Sequence, residues 1–586
     1  MDKRWVKKDK GDNQAIDRLV NELNVEKYIA GLLVQRGKDT CEKVNNFFHP
    51  SLDHLHDPFL MKDMDKAIQR LETALGNNEK ILVYGDYDVD GTTSVALVVS
   101  FLRKYHRNIS FYIPDRYEEG YGISYKGIDY AYTREFSLII SLDCGIKAID
   151  KIKYANQKQI DFIICDHHLP GNNLPDAHAI LDPKREGDEY PYKELSGCGV
   201  GFKLIQAFAQ HMDIPFEELH EYLDLVAISI ASDIVPVTGE NRILAYYGLK
   251  RINQNPRPGI ETILEYSNIK RRFNAKPEDE FIFNKELCIS DLIFVIGPRI
   301  NAAGRMKDAN QSVELLICED KLFSERIGKE INQNNKDRKE LDLSITEQAH
   351  KLISEGKLYA GRKSITIYNE NWHKGIIGIV ASRLIETFYK PTIVLTMSTN
   401  GLITGSARSI KDFDIYQAIS SCSSLLENFG GHKYAAGLSM KPENLEPFTR
   451  QFEEYAIAHI SEKQMTPEIE IDQELPLQAI NNKFFRILKK FEPFGPGNMS
   501  PVFLTERIVD SGNAKIVGKN HLKFNATNPD SYDLQFPAIA FQQGHQFDKI
   551  NKGMPFNICY HIEENHWNGK KSLQLNIKDI KFPGSL

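Results

Sequence analysis

At 586 residues the chain is too long for one hydrophobic core, and a usual size of about 150 residues per domain points to roughly four domains. Its 41% hydrophobic and 26% charged residues match a globular protein and exclude a long disordered tract. The net charge of −7 excludes a uniformly basic coat, although aspartates gathered at one site would mask basic surfaces elsewhere.

The first stretch, MDKRWVKKDKGDNQAIDRLV, is basic but lacks the apolar segment of a signal peptide. No apolar run reaches the about 18 residues that would span a bilayer, so a cytoplasmic protein without membrane contact is expected. Eight cysteines occur without a C-x-x-C pair, which argues against a disulfide framework or zinc knuckle and for reduced core thiols. Residues 1–75 carry helical patterns and no recognisable chemistry, forming an N-terminal region.

From about residue 76 short apolar runs alternate with helical stretches, as in a parallel α/β sheet. The runs are ILVYG (81–85), ISFYIP (109–114), LIISLD (138–143) and DFIICD (161–166), and a domain over 76–317 is expected. Residues 318–357 are charged and free of proline, predicting a connecting helix, single or in two joined parts. A second α/β domain follows over 358–464, with SITIYNE, PTIVLT and LITGSARS as strands and a helix from about Gly375 to Tyr389. Over 465–586 the texture changes to short strands and turns, predicting a small β-barrel. From Ser511 on, nine lysines face six acids, so this barrel is a plausible single-strand platform.

Acids and histidines gather at the ends of the first domain's runs, where open α/β sheets bind ligands. GDYDVDGTTS places Asp86, Asp88 and Asp90 at i, i+2 and i+4; if the strand runs on extended, all three carboxylates point one way. Such like charges repel, and a divalent cation such as Mg²⁺ or Mn²⁺ would remove the repulsion. An Asp-rich surface turn is the plain alternative, whereas an EF-hand would need an acid near its twelfth position, where Leu97 stands. SLDCG ends on Asp143, CDHH supplies Asp166, His167 and His168, and SDIVP adds Asp233. Taken singly, a strand-end Asp reads as a helix cap and a His pair as incidental; the combination favours a metal site.

These four motifs in this order resemble the DHH phosphoesterase superfamily, whose name describes Asp166-His167-His168 literally. The resemblance implies a two-metal site in which Asp143 bridges the ions, Asp86 and Asp88 hold one, and Asp90, His167 and Asp233 hold the other. It places His168 facing the phosphate or the metal, so that these seven residues form the catalytic set. Asp166 would orient a ligand histidine from behind. Ions about 3.5–4 Å apart clamp the attacking and leaving oxygens, giving phosphodiester hydrolysis without a covalent intermediate. Mixed carboxylate and imidazole ligands suit Mn²⁺ as well as Mg²⁺.

The remaining segments resemble one branch of the superfamily, the RecJ exonucleases: YIPDRYEEGYGIS, LSGCGVGFKL, VPVTGENR, IGPRINAAGRM, WHKGIIGIVASRL, TGSARS and EPFGPGNMSPVF. FGGHKYAAGLSM is a form of the signature of the associated DHHA1 domain. The resemblance implies a parallel-sheet DHH domain and a smaller α/β DHHA1 domain joined by a long helix, with a C-terminal OB-like β-barrel. The implied activity is a single-stranded-DNA-specific 5′-to-3′ exonuclease that releases 5′-mononucleotides in recombination and repair. Single-strand-binding protein and a DNA helicase would be its partners.

Several residues suit DNA. Arg116, Arg299 and Arg305 stand beside glycines or turn residues, where a guanidinium can approach a phosphate; surface or interdomain ion pairs are the alternative. Ser406 and Arg408 lie at i and i+2 of a strand, a grip for a terminal 5′ phosphate that the resemblance favours. Gly431 and His432 would bring a backbone donor and an imidazole to the same phosphates, although Gly-Gly is also an ordinary turn. Arg383, on a helix, could equally reach to solvent. Tyr121 between two glycines, and Trp567 in the barrel, could stack on bases or simply pack.

Overall fold

The computed structural model describes residues 2–276, 278–306, 308–356, 359, 361–567 and 570–583. Its contacts define two compact units: residues 1–51, 466–494 and 498–586 form one, and residues 52–465 with 495–497 form the other. Among the described residues no helix is long and apolar enough to cross a membrane. All eight cysteines are free; Cys288 is exposed and Cys41 and Cys318 half-buried, so only the other five are the core thiols expected.

The chain opens with β1 (Arg4–Lys7) and three short helices, α1 (Asn13–Leu23), α2 (Lys27–Gln35) and α3 (Cys41–Phe48). Asp12 starts α1 by accepting the Gln14 and Ala15 N–H groups at 3.0 and 3.3 Å.

In the larger unit five strands form a parallel sheet: β2 (Ile81–Gly85), β3 (Ile109–Tyr112), β4 (Leu138–Leu142), β5 (Asp161–Cys165) and β6 (Ala179–Leu181). Their order is β3-β2-β4-β5-β6. Every residue of β2 and β4 is buried, because both faces are covered, which is why these runs lack alternation. Ile81 and Val83 enter the core on one face and Leu82 and Tyr84 the core on the other. The chain leaves β2 for β3 on one side and returns to β4 on the other, so the crevice beyond β2 and β4 is a topological switch point. The short β6 has too few residues to announce itself in the sequence.

Helices α4 (Val89–Leu102), α5 (Gly197–His211) and α6 (Leu223–Ser232) are almost wholly apolar and buried against this sheet. After α7 (Gly297–Met306) comes one unbroken helix of 35 residues, α8 (Lys321–Glu355). A mixed sheet follows, made of β7 (Ile365–Tyr368), β8 (Thr392–Met397), β9 (Ile403–Arg408), β10 (Asn428–His432) and β11 (Ala435–Met440), with α9 (Ile377–Phe388) packed beside it. Its order is β10-β11-β9-β8-β7, and only β7 and β8 are parallel. Gly430 and Gly431 lie inside β10, not in a turn; a Cβ at Gly431 would come within 2.3 Å of the Ala435 carbonyl oxygen.

The smaller unit resumes at β12 (Glu468–Ile471), which pairs in parallel with β1, Arg4 opposite Glu468. The barrel strands are β13 (Phe503–Asp510), β14 (Lys515–Val517), β15 (His521–Asn528), β16 (Ser531–Ala540), β17 (Phe556–Trp567) and β18 (Lys570–Lys581). Pairings run β13-β17-β18-β16-β15 and close through β13 with β15, which removes the open edges. Ile16, Leu19, Leu32 and Phe47 of the N-terminal helices share one core with Phe491, Phe524 and Phe556. The first 51 residues are therefore part of the barrel unit.

Candidate active site

The acid motif after β2 does not run on as strand. Asp88 becomes the N-cap of α4, its Oδ1 accepting the Gly91 N–H at 3.1 Å, and Asp90 falls in the first helical turn. The three carboxylates are therefore set by a strand-to-helix turn, not along one strand face. Gly91 permits this turn, since a Cβ there would lie 2.4 Å from the Asp86 carbonyl oxygen. Asp86 is buried, with Oδ1 accepting the Gly122 N–H at 3.1 Å and Oδ2 without a hydrogen-bond partner.

Asp90 is fixed from the far side of the crevice. Its Oδ2 accepts the Gly197 N–H at 2.7 Å and its Oδ1 accepts the Cys198 N–H at 2.8 Å and the Ser229 hydroxyl at 2.7 Å. The positive start of α5 thus faces a carboxylate. Asp143 follows β4 with φ of 60°, a left-handed conformation, and its N–H donates to the Cys165 carbonyl at 2.9 Å. Such a strained residue at a strand end is a frequent mark of a functional position.

His167, from the end of β5, joins these acids. Its Nε2 lies 3.2 Å from Asp143 Oδ1, 3.5 Å from Asp233 Oδ2 and 3.8 Å from Asp90 Oδ2. Neither ring nitrogen of this buried imidazole is in hydrogen-bond geometry. Burial holds His167 below its ordinary pKa, so the neutral ring offers a lone pair. Burial also pushes the Asp86 and Asp143 carboxyls well above the usual range, helped by the charge of Asp88 on the first and of Asp90 on the second.

His168 points elsewhere. Its Nδ1 lies 2.8 Å from Asp166 Oδ1, and Asp166 also accepts the N–H groups of Ile146, His167 and His168. Burial alone would raise Asp166, but the hydrogen bond and charge of His168 hold it well below the carboxylate range. Burial opposes the charged form of His168 too, yet Asp166 raises it above its ordinary value. Asp166 therefore orients His168, while His167 has no partner behind it. The other nitrogen of His168, Nε2, lies 3.3 Å from the Tyr121 hydroxyl, which also donates to the Asp143 carbonyl at 3.2 Å. Across from it, His432 of β10 lies nearly parallel, ring centres 6.3 Å apart.

Cations crowd the same unit. Ser406 and Arg408 share one face of β9, with Arg408 Nη1 donating to Ser406 Oγ at 3.0 Å. A Cβ at Gly378, at the start of α9, would lie 2.9 Å from that hydroxyl, so the glycine leaves the approach open. Arg305 donates to the Gly375 carbonyl at 2.8 Å and is lowered to about 10 by burial and by the charges of Arg116, Arg338 and Arg408. Arg116 sits over the Tyr87 ring at 4.4 Å. Arg383 is different: Nε and Nη2 bind Asp342 Oδ2 at 3.1 and 2.8 Å, an ion pair between helices. The Tyr121 ring is 52% exposed, available for stacking although its hydroxyl is anchored. The Trp567 side chain lies outside the described residues.

Three family models match the chain: the DHH family N-terminal domain over residues 80–230, the DHHA1 domain over 361–458 and the RecJ OB domain over 471–579. The single-stranded-DNA-specific exonuclease RecJ of Bacillus subtilis (strain 168) is 36% identical over 570 residues, covering 97% of this chain and 70% of that protein. The chain belongs to the RecJ exonuclease family. RecJ of Escherichia coli (strain K12) is 32% identical over 540 residues, 89% of this chain and 90% of that protein. The crystal structure of Thermus thermophilus RecJ in complex with Mn²⁺ matches with a TM-score of 0.82 at 26% identity, covering 100% of this chain and 80% of that one. The corresponding Mg²⁺ complex matches at 0.75 and 25% identity.

The donor set of this RecJ-family chain fits divalent metal. Among the described residues two groups have ligand atoms within 4.8 Å of one another: Asp143 with His167 and His168, and Asp90 with His167 and Asp233. His167 belongs to both, and its bare nitrogens together with the orphaned Asp86 Oδ2 are what a cation would satisfy. Asp86 and Asp88 fall in neither group, their carboxylates being drawn toward Gly122 and Gly91. Sequence reasoning did not find Ser229 or Gly197, which hold and make room for the acids, because each acts across the fold on a residue more than a hundred positions away.

Proposed function

We propose that this protein is a metal-dependent 5′-to-3′ exonuclease specific for single-stranded DNA. The observation that carries the reading is His167, a neutral imidazole with no hydrogen bond at either ring nitrogen that is shared by two groups of candidate ligands, in the same unit as the Ser406–Arg408 pair. Asp86, Asp88, Asp90, Asp143, His167 and Asp233 would hold two ions, Mn²⁺ or Mg²⁺. When bound, these ions would lower the pKa of the attacking water and neutralise charge gathering on the phosphate.

The chain's own groups do the rest. Arg408, Ser406 and the β10 segment Gly431–His432 bind the terminal phosphate and so select the 5′ end. Arg116, Arg299 and Arg305 carry backbone phosphates, and Tyr121 offers its ring to a base. His168, its pKa raised by the hydrogen bond and charge of Asp166 against the effect of burial, can present a proton at Nε2 to the leaving 3′ oxygen. The basic barrel supplies length-dependent affinity for the strand. Such an enzyme needs single strands made for it, which fits a role in recombination and repair in the cytoplasm beside a helicase and single-strand-binding protein.

The test is hydrolysis of 5′-labelled single strands, duplexes and dinucleotides with and without Mn²⁺. Mononucleotides released from single strands only when metal is present are expected. Cleavage confined to dinucleotides, or turnover indifferent to metal, would overturn the reading.

A further inference from the structure

Asp90 is buried, and its hydrogen bonds are unevenly shared between its two oxygens. Oδ1 accepts the Cys198 N–H at 2.8 Å and the Ser229 hydroxyl at 2.7 Å, whereas Oδ2 accepts only the Gly197 N–H at 2.7 Å. Each carboxylate oxygen offers two lone pairs, so Oδ1 is full. Oδ2 keeps one lone pair, and it is Oδ2 that lies 3.8 Å from His167 Nε2, on the side where the candidate ligands gather. The Ser94 hydroxyl, 3.5 Å from Oδ1, does not alter this, because its proton goes to the Asp90 carbonyl at 2.6 Å.

Proton counting fixes which way the hydroxyls point. Ser229 Oγ lies 2.6 Å from Ser196 Oγ as well as 2.7 Å from Asp90 Oδ1, but a hydroxyl carries one proton and an ionised carboxylate can only accept. The Ser229 proton therefore goes to Asp90, and Ser196 donates to Ser229. Ser196 is free to do so: as the N-cap of α5 its oxygen accepts the Gly199 N–H at 3.1 Å, which leaves its proton for Ser229. Both serines are fully buried, out of reach of bulk solvent. The start of α5, Ser196, Ser229 and Asp90 thus form one ordered chain, and the carboxylate is held from behind by a residue of α6 that no motif marks out.

The one open lone pair limits what Asp90 can hold. A carboxylate restricted to one oxygen suits a small ion with near-octahedral geometry at about 2.0–2.1 Å, whereas Ca²⁺ takes about six to eight oxygens at about 2.3–2.6 Å and accepts bidentate carboxylates. We propose that Ser229 is a positioning residue for the candidate centre: by occupying Oδ1 it confines Asp90 to attachment through Oδ2 alone and so disfavours Ca²⁺ against Mn²⁺ and Mg²⁺. The inference rests on the metal-dependent reading and deepens it, from which residues hold the ions to which ions they accept.

The test uses the full chain, stripped of metal with EDTA and dialysed, then titrated calorimetrically with Mn²⁺ and with Ca²⁺, beside thermal melts in EDTA. Ser229→Ala removes the donor, and Ser229→Cys refills the space with a weak one, so the Cys variant decides if the Ala cavity unfolds the chain. Removing a hydrogen-bond partner behind a ligand costs about 10–100-fold in metal affinity, so Mn²⁺ affinity should fall about tenfold in both variants while Ca²⁺ affinity holds or rises. The preference for Mn²⁺ over Ca²⁺ should therefore narrow about tenfold. A serine with a purely structural role would lower the melt in EDTA and shift both ions alike. Such equal shifts, or an unchanged ratio in either folded variant, would overturn the proposal. If the unmodified protein binds neither ion, the metal-dependent reading itself falls, before any variant is compared.

Discussion

A Cβ on Gly197 would lie 2.6 Å from the Cβ of Asp143. The same glycine donates its N–H to Asp90 Oδ2 at 2.7 Å, so one backbone position seats two carboxylates of the candidate centre. Gly197→Ala should push Asp143 aside without opening a cavity. Displacement of about an ångström at a reacting centre costs about 100-fold in rate, and that fall in turnover on single-stranded DNA is expected with the melting temperature little changed. Turnover near that of the unmodified protein would show that the position of Asp143 is not critical.

Metal should also act on stability. The Asp86 and Asp143 carboxyls are pushed up by burial and by neighbouring acids, and an ion bound only by the folded chain relieves this. Ligand at 100 times its Kd adds about 2.7 kcal/mol. Mn²⁺ should therefore raise the Tm, EDTA should reverse the rise, and Asp143→Ala should abolish the ion-dependent part. Calorimetry with a Tm indifferent to Mn²⁺ would exclude these acids as the metal centre.

Arg408 is held by Ser406 Oγ and by its neighbour's carbonyl at 2.8 Å, which leaves Nη2 free for a ligand. Arg408→Ala removes a charge-assisted contact of about 1.5–3 kcal/mol, so discrimination between 5′-phosphorylated and 5′-hydroxyl strands should drop about tenfold or more. Competition between the two strands measures it directly. A preference that survives the change would move the end-binding pocket elsewhere.

Asp182, fully buried after β6, is pushed from 3.8 to about 7 by burial. A carboxyl raised by folding favours the folded state in its protonated form, so its contribution is intact at low pH and lost as pH climbs toward 7. Asp182→Asn cannot ionise. The variant should melt higher than the unmodified protein at pH 8, and the gain should shrink at pH 5. Equal differences at both pH values would mean that Asp182 keeps an ordinary pKa in the fold.

Much of the centre was legible in sequence because strand runs and acid motifs are local signals. ILVYG and LIISL are strands at the expected positions, and Asp90, Asp143, His167, His168 and Asp233 fall into two groups that share His167, while Asp86 and Asp88 fall in neither. The same locality set the limit. An extended course through Asp88 lost to helix capping, because the Gly91 N–H is satisfied better by that carboxylate than by continuing the strand. Glycines read as a turn became the interior of β10, since the hairpin to β11 brings backbone too close for a side chain.

By itself the sequence determined the order of the elements and the family and marked the candidate donors, all from periodicity and short motifs. Only the tertiary structure decided which atoms face one another. It gave Asp166 to His168 and left His167 bare. It joined the first 51 residues to the C-terminal barrel and set Arg338 against the Asn335 amide and Arg383 against Asp342 along the connecting helix. These outcomes depend on contacts between residues far apart in the chain, where close packing and the cost of an unsatisfied buried group, not local propensity, select the partner.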